Sequence, residues 1–245
     1  MTTTRPVVVL LHGVGLDHTV WDRVRPLLEP RFDVRSPDLP GHGTGPRVPA
    51  GVDLAGLAAL VEPEVPAGAH LVGFSLGALV AQQLAAGTPG RVASLTSVAS
   101  VCRRTDAERA AVLGRLADAE ADFTGSVEAS LRRWFEGTDV PDEVVAHTRE
   151  VLMGNDVEQY LRCYRVFATG DADVAPLLPR ITVPALAVTG SDDPGSTPAM
   201  THRLAAALPD CRAEVVAAAR HMLPVQRPAD LATSIHELIG GVVHA

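Results

Sequence analysis

The chain has 245 residues, of which 47% are hydrophobic and 20% are charged, and its formal net charge is -8. This length and composition predict a folded protein of one domain, or of one domain with an inserted lid. The acidic balance and the lack of a long basic run argue against a nucleic-acid partner. Three cysteines without CxxC spacing argue against a disulfide framework or structural zinc.

Short apolar runs alternate with helical patterns through the first hundred residues. This alternation predicts βαβ units and a parallel sheet. The first apolar run, Val7 to Leu11, is too short for a signal peptide, and no segment is a charge-free membrane span. We therefore expect a cytoplasmic protein without a membrane partner. Strands are predicted over 7–11, 32–36, 70–74 and 95–99, and helices over 17–28, 52–61 and 76–86.

The pattern changes after residue 100, where helical periodicity continues without strand-like runs. The first of these helices, over 105–122, opens with a capping box formed by Thr105 and Glu108. We predict an all-helical cap over 103–173, inserted into an α/β core of 1–102 and 174–245. The other cap helices are predicted over 124–137, 141–153 and 156–168, with core strands at 185–189 and 213–216 and core helices at 198–208 and 228–239.

Ser75 lies in the run Gly73-Phe74-Ser75-Leu76-Gly77, between a predicted buried strand and a helix of small residues. A GxSxG run at a strand-to-helix turn is typical of a nucleophile elbow, in which a sharp turn lifts the serine Oγ above the sheet edge. The flanking glycines remove side chains that would clash. Ser75 is therefore the predicted nucleophile.

A serine hydroxyl needs a base, and His221 is the candidate that follows a strand. It lies directly after the strand at 213–216, and the carboxyl ends of parallel strands form the ligand sites of open α/β sheets. The other downstream histidines lie in predicted helices or near the chain end: His147, His202, His236 and His244.

The carboxylate that orients the base is expected after the strand at 185–189, in the loop Gly190-Ser191-Asp192-Asp193-Pro194. Either Asp192 or Asp193 could orient His221, and Asp192 could instead cap the turn. The alternative position, after the strand at 95–99, offers no carboxylate among the residues 100–102.

Acyl transfer also needs donors for an oxyanion. We predict the backbone N–H of Leu76, the residue after the nucleophile, and that of Val14 in the loop after the first strand. His12 is predicted to shape this loop rather than to catalyse. The same loop begins like a dinucleotide fingerprint, but His18 stands where the third glycine is required.

Together these segments resemble the α/β-hydrolase superfamily, and specifically the 3-oxoadipate enol-lactone hydrolases. The resemblance implies an α/β-hydrolase fold and a triad of Ser75, Asp193 and His221. It rests on His12-Gly13 with Trp21, on Asp38-Leu39-Pro40-Gly41-His42-Gly43, on the elbow, on 190–198 and on His221, and in the cap on Arg103-Arg104-Thr105, Arg132-Arg133-Trp134-Phe135 and Tyr164-Arg165-Val166-Phe167-Ala168.

The resemblance further suggests that a cap arginine and tryptophan contact an acidic lactone, for which Arg132, Arg133 and Trp134 are the candidates. The alternative is that Trp134 packs the cap while both arginines face water.

The implied reaction is hydrolysis of a small ester or lactone through an acyl-enzyme, without a metal or other cofactor. A generic carboxylesterase, a C–C bond hydrolase and a non-enzymatic ligand sensor are the alternatives, although Gly15-Leu16 replaces the Gly-Pro turn usual in C–C bond hydrolases.

One departure concerns the start of the sheet. Relatives usually carry an N-terminal β-hairpin before the His-Gly loop, whereas His12 comes almost immediately here. We therefore expect a mostly parallel sheet of about six strands without that hairpin. Its loss could expose a sheet edge, which leaves the oligomeric state open.

Overall fold

A computed structural model describes residues 5–88 and 90–243. Its sheet contains six strands, all parallel, in the order β2-β1-β3-β4-β5-β6. The predicted α/β class and strand number are confirmed, and the sheet is wholly rather than mostly parallel. The strands are β1 (Val7–Leu11), β2 (Asp33–Arg35), β3 (Ala69–Phe74), β4 (Val92–Val98), β5 (Ala185–Gly190) and β6 (Cys211–Val216).

Burial on both faces explains why the central strands are almost continuously apolar. Successive side chains of a strand point to opposite faces. Accordingly, Val9 and Leu11 of β1 belong to one hydrophobic cluster, while Val8 and Leu10 belong to another. The core therefore lies in two layers, one on each side of the sheet, and the six residues of β3 are all buried.

Ten helices flank or extend from the sheet within the described residues. They are α1 (Arg25–Leu28), α2 (Leu54–Val61), α3 (Leu76–Gly87), α4 (Asp106–Ala121), α5 (Phe123–Phe135), α6 (Asp142–Met153), α7 (Val157–Val174), α8 (Pro198–Ala207), α9 (Leu223–Gln226) and α10 (Pro228–Val243). None of the helices in these ranges is long and apolar enough to cross a membrane.

The predicted helix over 17–28 is wrong. The segment forms a single 3-10 turn, His18–Trp21, and then the four-residue α1. Pro26 is the second residue of α1, a position where its missing N–H breaks no helical hydrogen bond. Two further differences are that α7 runs on to Val174 instead of ending at 168, and that α9 was not predicted.

The helices α4 to α7 follow one another between β4 and β5, as the sequence predicts. The capping box of Thr105 and Glu108 is present at the start of α4. Against the core, α7 packs on α3. A buried ion pair between Arg104 and Asp171, at 2.7 Å, ties the start of this region to α7. The boundaries of core and cap at 103 and 173 stay a prediction.

Candidate active site

Ser75 lies between the end of β3 and the start of α3, with φ 55° and ψ −111°. A non-glycine residue rarely adopts a positive φ, so this backbone is strained. The glycines on either side of Ser75 are closely packed. A Cβ on Gly73 would overlap the carbonyl oxygen of Gly77, and a Cβ on Gly77 would overlap the carbonyl oxygen of Leu11. Both glycines of the GxSxG run are therefore required for β3, α3 and β1 to approach so closely.

His221 and Asp193 come from the loops after β6 and β5, and they meet in a buried contact. The His221 Nδ1 and an Asp193 carboxylate oxygen are 2.8 Å apart, and the two residues are 8% and 3% exposed. The second oxygen of Asp193 accepts the backbone N–H groups of Gly195 and Ser196 at 2.8 and 2.9 Å. These three bonds hold the carboxylate in one orientation. Asp192, the other candidate, is exposed.

Two aromatic rings pack against the His221 imidazole. Trp134 of α5 stacks on it, with ring centroids 5.6 Å apart and planes 28° apart, and Phe74 lies 5.1 Å away.

Among the described residues, no hydrogen bond joins Ser75 Oγ to His221. Such bonds are often long without substrate and tighten only in the reacting complex. Both side chains nevertheless line the same cavity.

The loop after β1 and the first residue of α3 supply backbone donors near Ser75. Within the described residues, neither the Val14 N–H nor the Leu76 N–H has a protein acceptor. Leu76 is the first residue of α3, where a helix N–H has no intrahelical partner and the helix dipole favours negative charge. Val14 lines the cavity. Both groups are thus available to a ligand oxygen.

His12 shapes the loop that carries Val14. Its Nε2 accepts the backbone N–H of Leu39 at 2.8 Å, and its Nδ1 lies 2.8 Å from the Gly13 carbonyl, to which it donates. Full burial lowers the pKa of His12 to about 4, so the ring is neutral near pH 7. The ring of His42 meets it edge-on at 5.1 Å, and burial lowers the pKa of His42 to about 3.

The cavity at Ser75 has a volume of about 150 Å³ and two chemically different walls. Loops at the carboxyl ends of the strands form one wall, which includes Ser75, Asp193 and His221. Helices α4, α5 and α7 form the other wall, with Arg115, Ser130, Arg133, Trp134, Tyr160, Tyr164 and Phe167.

Arg133 and Arg115 make the helical wall electropositive. The Arg133 guanidinium donates to Ser130 Oγ at 2.6 Å, and no carboxylate of the described residues lies within salt-bridge distance of either arginine. Burial lowers the pKa of Arg133, and the charge of Arg115 acts in the same direction. Two like charges facing one cavity favour an anionic ligand.

Of the adjacent candidates, Arg133 and Trp134 line the cavity, whereas Arg132 is exposed and does not. Consecutive helix residues point about 100° apart, so three in a row cannot all face one cavity, and Arg132 is the one that points away. Sequence reasoning missed Arg115. A signal was present, because Arg115 lies three residues after Val112 and four before Ala119, on the buried face of α4.

The other histidines of the second half lie away from this cavity. His147 Nε2 is 3.0 Å from Thr19 Oγ1, His236 Nε2 donates to the Leu27 carbonyl at 3.1 Å, and His202 is exposed on α8. His244 lies outside the described residues. Within the described ranges, no three His, Cys, Asp or Glu side chains are grouped so that they could hold a metal ion.

Comparison with known proteins supports the likeness inferred from the motifs. Residues 8–234 match the model of the alpha/beta hydrolase family. The chain is 32% identical to an (E)-2-((N-methylformamido)methylene)succinate hydrolase of Acinetobacter baylyi, over 90% of this chain and 85% of that protein. It is 33% identical to a pimeloyl-[acyl-carrier protein] methyl ester esterase of Neisseria meningitidis, over 87% and 85%. The crystal structure of an enol-lactonase from Burkholderia xenovorans LB400 is similar, with a TM-score of 0.83 and 26% identity over 97% of this chain and 92% of that one.

Proposed function

The chain belongs to the alpha/beta hydrolase family, and we propose that it is a serine hydrolase that cleaves carboxylic esters or lactones through an acyl-enzyme. The observation that carries this proposal is the arrangement of Ser75, His221 and Asp193. Three separate loops bring these side chains to one cavity, with Ser75 on a strained elbow and His221 bonded to a fixed carboxylate. A nucleophile, a base and a group that orients the base are what acyl transfer requires.

In the proposed first half-reaction, Ser75 Oγ attacks the carbonyl carbon while His221 Nε2 takes the hydroxyl proton. Asp193 accepts the Nδ1–H, which fixes the imidazole tautomer and stabilises the imidazolium that forms. The tetrahedral intermediate then collapses, and the bond to the leaving oxygen breaks as His221 donates its proton to that oxygen. In a lactone, the leaving alcohol stays attached to the acyl group.

In the second half-reaction, His221 takes a proton from water, and the resulting hydroxide attacks the acyl-enzyme. Collapse of the second intermediate returns the proton to Ser75 and releases the carboxylic acid. The backbone N–H groups of Val14 and Leu76 hold the oxyanion in both intermediates. By analogy with other oxyanion holes, the loss of one such donor costs about 3 kcal/mol of transition-state stabilisation. No step needs a metal ion or organic cofactor.

The substrate that fits this cavity best is a small ester or lactone that also carries a carboxylate. The support is the charge of Arg133 and Arg115 on the helical wall, where no carboxylate of the described residues lies within salt-bridge distance of either guanidinium. A guanidinium pairs with a carboxylate through two parallel hydrogen bonds, and Trp134 beside it offers an apolar surface. Two relatives point the same way by name, since one acts on a succinate derivative and another on an enol-lactone.

The test is turnover of p-nitrophenyl acetate, of the anionic mono-p-nitrophenyl succinate, and of an enol-lactone followed by its absorbance, with wild type and Ser75→Ala. We expect wild type to hydrolyse all three, with a higher kcat/KM for the anionic ester than for the acetate. Ser75→Ala should lose at least about 1,000-fold in kcat.

Three outcomes would contradict parts of this scheme. Wild-type activity in Ser75→Ala would eliminate the acyl-enzyme. Saturable binding without turnover of any substrate would favour a ligand sensor. Equal kcat/KM for the neutral and anionic esters would favour a generic carboxylesterase and remove the role proposed for the two arginines.

A further inference from the structure

The last carbonyls of α5 accept hydrogen bonds from the segment that carries the base. A helix end leaves its final carbonyls without intrahelical partners. Here the Arg220 guanidinium donates to the Arg133 carbonyl at 3.2 Å, and the Gln226 amide donates to the Trp134 carbonyl at 2.8 Å. Cationic and polar donors are favoured at this negative end of the helix dipole.

Gln226 makes a second bond on the opposite side of its amide. Its Oε1 accepts the backbone N–H of Arg220, the residue before His221, at 2.7 Å. Gln226 is only 7% exposed, so breaking either bond leaves a polar group without water to replace it. One buried side chain therefore joins the base loop to the end of α5.

The residue that Gln226 holds is the one that stacks on the base. Trp134 stacks on the His221 imidazole with 5.6 Å between ring centroids, while the Asp193 carboxylate is hydrogen-bonded to its Nδ1. A shift of the α5 end would move the Trp134 ring and release one face of His221. Arg133 is in the same helical turn, and its own carbonyl is bonded to Arg220, so its position in the cavity depends on both bonds.

We propose that Gln226 is a positioning residue, which orients His221 for catalysis by holding Trp134 against it. The proposal rests on the serine hydrolase function proposed above. Gln226 touches neither the substrate nor the reacting atoms, and it acts through the Trp134 ring. Because catalytic groups must be placed to within a fraction of an ångström, loss of this bond should slow the chemical steps more than it weakens binding.

The test compares Gln226→Met and Gln226→Glu with the same changes at Gln159. Gln159 is a matched control, since it is a buried glutamine on α7 whose amide accepts the Val48 N–H at 2.7 Å and donates to the Val48 carbonyl, so its hydrogen bonds hold Val48 rather than the base loop. We expect Gln226→Met to lower kcat for p-nitrophenyl acetate about tenfold with KM changed less than about twofold. Gln226→Glu, which keeps the acceptor and loses the donor, should lose nearly as much.

The Gln159 variants should keep wild-type kcat. An equal fall at both glutamines would overturn the proposal, because it would reflect general loosening of the cap. A double-mutant cycle adds a second criterion. If Gln226 acts through the ring, Gln226→Met should change kcat less than about twofold in a Trp134→Ala background, whereas additive losses would contradict the route through Trp134.

Fluorescence separates failure of this proposal from failure of the proposed function. The chain has two tryptophans, and Trp21→Phe leaves Trp134 as the only one. In that background, Gln226→Met should shift the emission maximum to longer wavelength as the ring moves toward water, and Gln159→Met should not. An unshifted maximum in Gln226→Met would overturn the proposal whether or not any ester is hydrolysed.

Discussion

The two walls of the cavity differ in how their polar groups are satisfied. We call the wall of strand-end loops, with Ser75, Asp193 and His221, the core wall, and the helical wall of α4, α5 and α7 the cap wall. On the core wall, the Asp193 carboxylate accepts two backbone N–H groups and faces the His221 ring. In the loop that carries Val14, both nitrogens of the buried His12 are bonded. On the cap wall, Arg133 has Ser130 as its only side-chain partner in the described residues, and Arg115 has none.

The lack of a carboxylate partner is not general among the arginines near helices α4 to α7. Just before α4, buried Arg104 bonds to the Asp171 carboxylate and to the carbonyls of Phe167 and Ala168. A buried charge is costly unless it is paired. The protein therefore neutralises its structural arginine, while the cavity arginines are complementary to an anion that comes from outside. The core wall carries the proposed chemistry, and the cap wall carries the proposed choice of substrate.

The largest expected effect is that of Asp193→Asn on the core wall. The amide cannot hold His221 in the tautomer that accepts the Ser75 proton, so kcat should fall by about 10,000-fold for neutral and anionic esters alike. Asp192→Asn is the control, since Asp192 is exposed and should change kcat less than about twofold. A loss of kcat confined to anionic esters would contradict the assignment of the chemistry to the core wall and of substrate choice to the cap wall.

The second prediction concerns pH and the loop that carries Val14. In the unfolded chain His12 titrates at its ordinary pKa of 6.5, whereas burial lowers its folded pKa to about 4. The unfolded state therefore binds more protons at this residue between these values, and the contribution of His12 to the free energy of unfolding falls as pH drops from about 6.5 to about 4. For His12 alone the loss is about 3 kcal/mol.

Urea unfolding at pH 7 and pH 4.5 measures this slope. His12→Gln should be less stable at pH 7 but should show a shallower fall, because one buried titrating ring is gone. His202→Gln should keep the wild-type slope, since His202 is exposed. An unchanged difference in unfolding free energy between the two pH values in His12→Gln would contradict this prediction. It would show that groups other than His12 govern acid stability.

Arg133→Met should produce the third effect, confined to the cap wall. Removing a charged hydrogen-bond donor to the substrate should cost about 2 kcal/mol, which is about 30-fold in kcat/KM for mono-p-nitrophenyl succinate. The value for p-nitrophenyl acetate should stay within about twofold. Arg132→Met, the exposed neighbour, is the control and should change neither. Equal losses on both esters would assign Arg133 a structural role.

Arg115→Met should give the smallest effect, also selective for the anionic ester. Both arginines are partly exposed, but among the described residues only Arg133 has a hydrogen bond that fixes its guanidinium, so Arg115 loses more side-chain freedom when it pairs with the substrate. We expect a loss of about fivefold in kcat/KM for the succinate ester, close to 1 kcal/mol. A larger loss than in Arg133→Met would reverse the assignment of the main anion contact.

Much of the core wall was predictable because its signals are local. The GxSxG run specifies a strand, a tight turn and a helix within a few residues, and close packing against β1 explains both glycines. The alternation of apolar runs and helical patterns likewise predicted six strands and a parallel sheet, since each strand is buried on both faces. The same locality failed at 17–28, where Asp17 caps a short turn that apolar periodicity alone cannot distinguish from a helix.

The sequence by itself determined the family, the fold and the residues offered to the site. Residue spacing left Asp192 and Asp193 open, and the family resemblance implied Asp193, which the tertiary structure places against His221. Only the tertiary structure decided that Arg133 rather than Arg132 faces the cavity, and that Arg115 joins it. The bond from Gln226 to the Trp134 carbonyl joins residues 92 positions apart, so neither the sequence around Gln226 nor that around Trp134 predicts it. The physical reason is that adjacent side chains point in different directions, and which one points inward depends on how distant elements pack against each other.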